Sequence, residues 1–147
     1  MGVLSELIKD PARRRAIIDD GVRVIDAEVA RKSGLSGMAI KAGFAVVKGV
    51  KPGIIGEALN MFLDDFSARV DPHYDAWKAS GQGDLRSHFM RHSSEIADSL
   101  LAIVDGRAER SRHATLRKAY YKLRPEGKKH TVEALPAVAD MILRHVK

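Results

Sequence analysis

The sequence predicts an all-α protein: a single irregular bundle of six or seven helices around a central helix rich in small residues. Three observations carry this. Apolar residues recur at three- and four-residue spacing through most of the chain, as in Ile18, Val22, Ile25 and Val29, and again in Ile55, Leu59, Phe62, Phe66 and Val70. No stretch alternates apolar and polar residues as a strand does, and no Asn-Gly or Asp-Gly turn joins two apolar runs. Two Asp-Pro pairs, Asp10-Pro11 and Asp71-Pro72, have the form of helix starts, with Asp as cap and Pro at the first helical position. At 147 residues the chain has the length of one domain, 1–147, and no repeat divides it.

In order, Val3 to Ile8 form one or two amphipathic turns. A helix follows from Asp10-Pro11 to about Ser33, with Gly34 placed as its C-terminal cap. Ser36 then caps the central helix, LSGMAIKAGFAVVKGVKPG (35–53), which contains no acid and ends where Lys51 precedes Pro52. Its apolar residues run nearly all round. Only the line Gly34, Gly37, Lys41, Ala45 and Lys48 is expected to face water. The next helix covers about Ile54 to Val70, and Asp71-Pro72 opens a short one carrying Tyr74 and Trp77. Gly81-Gln82-Gly83 is the most flexible link. Asp84 caps a long helix to about Asp105, and residues 107–113 form a polar loop. Leu116, Ala119, Tyr120 and Leu123 mark another helix. A last one begins near Pro125 or Thr131 and kinks or restarts at Pro136.

Composition narrows the function. With no cysteine, disulfide scaffolds, thiolate-bound zinc and thiol catalysis are excluded. Lys41, Lys48 and Lys51 interrupt the most apolar stretch, and the N-terminal segment lacks the apolar run of a signal peptide, so a soluble cytoplasmic protein is expected. The formal net charge of +6 is unevenly spread. Residues 29–56 carry five bases and no acid, 57–106 carry four bases and nine acids, and 107–147 carry eleven bases and four acids. Either the acidic and basic segments pack together and cancel, or the basic ones gather into a face that attracts anions.

Residues 24–53, VIDAEVARKSGLSGMAIKAGFAVVKGVKPG, and 116–136, LRKAYYKLRPEGKKHTVEALP, resemble an uncharacterised family of small helical bacterial proteins. The likeness implies bacterial origin and an all-helical domain, and no activity. LRKAYYKL also looks like the second helix of a J-domain. The His-Pro-Asp loop that such a domain requires is absent, because Arg124-Pro125-Glu126 follows.

Candidate sites are three. Lys41, Lys48 and Lys51, beside the helix start after Pro52-Gly53, have the chemistry to hold a phosphate or a lipid headgroup. The bland alternative is that small residues allow close helix crossing while the lysine stems reach for solvent. A stripe of Asp84, His88, His92 and Glu95 falls on one helical face. His-x-x-x-His can bind Zn²⁺ or Ni²⁺, with Asp71, His73 and Asp75 as further ligands from elsewhere. The alternative there is a solvated polar face with Asp84 spent as a cap. The C-terminal basic region has Arg117, Lys118, Lys122, Lys128 and Lys129 interleaved with Tyr120 and Tyr121, a composition suited to a nucleic acid or phospholipid headgroup or to plain solvation.

No elbow or triad organises the serines and histidines for nucleophilic attack. Asp19-Asp20 and Asp64-Asp65 point about 100° apart on a helix, which makes poor acid–base couples. The sequence therefore predicts a non-catalytic binding module with a basic face and no cofactor. Its expected partner is a protein, a second copy included, meeting the central helix or the Trp77 region. The alternative is a metal-binding protein or metal-dependent enzyme built on His88 and His92.

Overall fold

The computed structural model describes residues 2–146. Among them there is no strand, and the helices are α1 Val3–Leu7, α2 Pro11–Arg31, α3 Gly34–Val50, α4 Ile54–Ser80, α5 Leu85–Arg91, α6 Ser93–Arg110, α7 Ala114–Leu123 and α8 Gly127–His145. Seven of these have seven residues or more; α1 has five. A 3₁₀ turn, Arg124–Glu126, joins α7 to α8. The all-α bundle expected from periodicity is the architecture observed.

The core does not lie where the sequence places it. Leu85 and Phe89 of α5, Ile96 of α6 and Leu135 and Ala139 of α8 are at most 1% exposed. Leu4, Val70, Tyr74 and Ile142 complete the same cluster. α5 turns Leu85 and Phe89 into this cluster while Arg86, Ser87, Met90 and Arg91 stay exposed, and it packs chiefly against α8. The small-residue helix α3 lies on the outside, against α7 and α2. Only Gly37 and Ile40 of α3 are buried. Of the line expected to face water, Gly34, Lys41, Ala45 and Lys48 are exposed and Gly37 is not. Gly37 is buried against the Lys32 backbone, while Leu35, Met38 and Val46 are 88%, 67% and 48% exposed. Hydropathy says that a helix avoids water but not what covers it, and here one whole face is left uncovered.

Several boundaries differ for local reasons. α4 runs unbroken through Pro72, and α8 through Pro136. A proline inside a helix removes one hydrogen bond, and neighbouring packing can hold the helix together across it. Asp71 therefore caps no new helix: its carboxylate accepts from the amides of Leu4 (2.7 Å) and Ser5 (3.1 Å), at the start of α1. Conversely, the long helix expected from Asp84 to Asp105 breaks at His92, whose φ of −110° and ψ of 17° leave helical geometry. The polar stretch 107–113 shortens to Ser111–His113, because α6 continues through Gly106 to Arg110. Ser36 does not cap α3; its hydroxyl meets His130 Nε2 at 2.8 Å. Asp10 and Asp84 do cap their helices, accepting from Ala12 and Ser87.

α3 can approach α7 because Gly43 has no side chain: a Cβ there would sit 2.5 Å from Leu123 Cδ2. Ser36 meets His130 and Gly43 meets Leu123, so α3 runs antiparallel to the chain from α7 into α8.

Candidate functional site

The α3–α7 pair brings together the two basic segments of the sequence. α7 is tied down by Asp105 of α6, which accepts from the Tyr120 hydroxyl and from Arg124 Nε (2.8 Å) and Nη2 (3.1 Å). Burial first, and then the Asp105 carboxylate, push the Tyr120 hydroxyl far above its ordinary range. Tyr120→Phe removes one hydrogen bond to a charged acceptor and is expected to lower stability by about 1–2 kcal/mol, read as a lower urea midpoint.

With α7 held this way, its polar side carries Arg117, Lys118, Tyr121 and Lys122, all exposed. Among the described residues no carboxylate lies within 4.0 Å of Lys41, Arg117, Lys118, Lys122 or Lys129, by contrast with the pairs found elsewhere. Lys48 pairs with Asp26 at 2.6 Å, Lys51 with Glu57 at 2.9 Å and Lys128 with Asp98 at 3.1 Å. The helix start after Pro52-Gly53 is thus already answered. Glu57 sits in the first turn of α4, where a negative charge suits the helix dipole, and it holds Lys51 as well. Of the eight basic residues singled out in the sequence, five remain unpaired.

Beside these cations, α3 shows an uncharged face. Leu35, Met38, Ala39, Ala42, Ala45, Val46 and Gly49 are all exposed. At 3.6 residues per turn they fill one arc of about 120°, and Lys41 and Lys48 border it on one edge. Periodicity did not reveal this face, since the buried side of α3 is equally apolar.

The histidine stripe is rearranged by the break at His92. Asp84 is spent on Ser87 as a cap, and the backbone and side-chain hydrogen bonds of Ser87 hold its carboxyl below the ordinary range. His88 is buried, with its ring 4.8 Å from that of His92. His73, reaching over from α4, joins instead: possible ligand atoms of His73, His92 and Glu95 lie within 4.8 Å of one another. The His73 Nε2 to Glu95 Oε1 distance is 4.0 Å. Burial first lowers the affinity of His73 for a proton, Glu95 opposes this, and His92 adds to it. His88 is lowered by burial, then by His92, Arg91 and His73. Imidazoles kept neutral retain the lone pair that a metal ligand needs. Asp71 is occupied at α1, so of the extra ligands read from the sequence His73 is the one brought in. The Ser93-Ser94 pair was the available signal for the break, because serine competes poorly inside helices and well at their starts.

No helix is long and apolar enough to cross a membrane among the described residues. No curated protein and no solved structure matches the chain. One family model does, over residues 4–146, and on that match the chain belongs to a family of unknown function, DUF6918.

Proposed function

We propose that this protein is a non-catalytic binding module that docks an acidic protein partner on the α3–α7 pair. One observation carries the reading: the outward face of α3 is free of charge along its whole length, and unpaired cations stand on α3 and α7 beside it. Large apolar faces rimmed by polar groups mark interaction surfaces. The small residues of the strip let a partner helix come close, as small residues do at helix contacts. The cations favour a partner with complementary charge and speed its encounter.

The test joins light scattering to a site-specific photo-crosslinker placed at Ala42. A crosslinked acidic protein, released as salt rises and lost in Met38→Glu, is the expected result. A constant dimer in low and high salt assigns the face to a second copy of the chain. A monomer that crosslinks nothing at Ala42 refutes the reading. Changing Lys41, Lys118 and Lys122 together to Gln should lower the association rate and flatten its salt dependence, with the fold unaffected.

A second reading rests on the convergence of His73 with His92 and Glu95. Two imidazoles and a carboxylate form a ligand set used by zinc sites that keep one position open. Under this reading Zn²⁺ binding, followed by calorimetry, weakens at least roughly tenfold in His73→Ala and is unchanged in Asp84→Ala. Equal uptake by wild type and His73→Ala sinks it.

A further inference from the structure

Between α1, α2, α4, α6 and α8 lies a half-open apolar cavity of about 220 Å³, lined by buried and half-buried residues. Its walls are aliphatic and aromatic. Ser67 and His145 are the only polar side chains among them. Gly21 of α2 and Ser67 of α4 are the smallest residues on its walls. Two polar clamps hold these helices at their spacing. Near the start of α2, Arg14 donates to the Asn60 side chain at 2.9 Å, to the Asn60 carbonyl at 2.7 Å and to Asp64 at 3.1 Å. Further along, Asp20 accepts from Arg144 Nε at 3.1 Å and meets His145 Nε2 at 2.8 Å, which ties α2 to α8. A void framed in this way cannot close by a simple inward shift of α2.

Water is a poor occupant. At about 30 Å³ each, roughly seven molecules would be needed to fill the volume, and each needs two to four polar partners. The walls offer Ser67 and His145, and His145 already meets Asp20. Left empty, the lining side chains lose their dispersion partners on one side. A fully enclosed engineered cavity of about 150 Å³ with apolar walls stays dry and takes up benzene.

From the volume, the lining and the two clamps, we infer that this cavity is a binding site for an uncharged apolar molecule of about ten non-hydrogen atoms. A single ring with a short alkyl tail has the right size. A charged head has no place inside, because no unpaired charge lines the walls.

The test is n-butylbenzene added to the intact protein labelled at its Ile, Leu and Val methyl groups. The expected result is saturable shifts at Ile18, Leu63, Val138 and Ile142, with none at Val46 on α3. Tm should rise by about 3–6 °C at ten times Kd. Ser67→Leu and Val24→Phe both fill the space, and each should weaken binding by at least roughly tenfold. Without the probe, at least one of them should melt no lower than wild type. Lining methyls that stay still up to the solubility limit of the probe overturn the inference. So do filled variants that bind as wild type does.

Discussion

Asp71→Ala is expected to lower stability by about 3–4 kcal/mol, with α1 detached and Leu4 drawn out of the core. Asp71 is 4% exposed. Its two oxygens accept from the Leu4 amide, the Ser5 amide and the Ser5 hydroxyl, all at the opening turn of α1. Removing the acceptor leaves a buried donor and two half-buried ones without partners, each costing about 1–3 kcal/mol when water cannot replace the bond. A five-residue helix has no independent stability, so its position depends on this cap. Gly2 belongs to the same device. A Cβ at Gly2 would lie 2.3 Å from Asp71 Cγ, and the carboxylate could not stay where it is. Gly2→Ala should therefore weaken the same contact by about 2 kcal/mol. Urea titrations followed by circular dichroism and by Trp77 fluorescence check both. A loss below about 1 kcal/mol for Asp71→Ala would mean that α1 is held by Leu4 alone.

Asp20→Ala is expected to cost about 2–3 kcal/mol and to remove one source of acid sensitivity. Asp20 is 8% exposed and is held by Arg144 and His145, so α8 closes on α2 through one carboxylate. Breaking a buried pair at one partner is costly, and the cost is moderated here because Arg144 is half exposed and can return to water. Burial alone would raise the Asp20 carboxyl, but hydrogen bonds from His145 and Arg144 outweigh it and hold the carboxyl below its ordinary value. A carboxylate depressed on folding stabilises above its unfolded pKa of about 3.9. That stability is lost as pH falls through the lower folded value. Wild type should thus lose stability relative to Asp20→Ala below about pH 4.

These carboxylates show where sequence reasoning reaches and where it stops. The helices themselves were legible because each buries an apolar stripe, and the stripe repeats within the helix, as Ile55, Leu59, Phe62 and Phe66 do. Asp10 and Asp84 were legible as caps because the amides that donate to them lie two and three residues away. Asp71 looked the same in sequence, but its partners are 66 and 67 residues distant. Nothing local separates an Asp that caps its own helix from one that caps another. The face of α3 was hidden for a related reason. Its buried and exposed sides are both apolar, so no change in polarity marks which one meets α7. The histidine site was half legible. His92 and Glu95 were found by spacing, but the break at His92 and the arrival of His73 from α4 depend on packing. The apolar cavity left no mark in the sequence, because its lining comes from five helices that meet only in the folded chain.

Leu4 and Ile142 belong to one cluster, and Asp20 is bound to Arg144 across 124 positions. The first and last helices, α1 and α8, therefore meet in one core. A ribosome releases α1, α2 and α4 well before α8 exists, so Leu4, Val70 and Tyr74 wait uncovered through most of synthesis. Losing α8 would not leave a shorter domain with a smaller core. It would leave the half-built walls of one, and such a fragment should be met by chaperones and proteases.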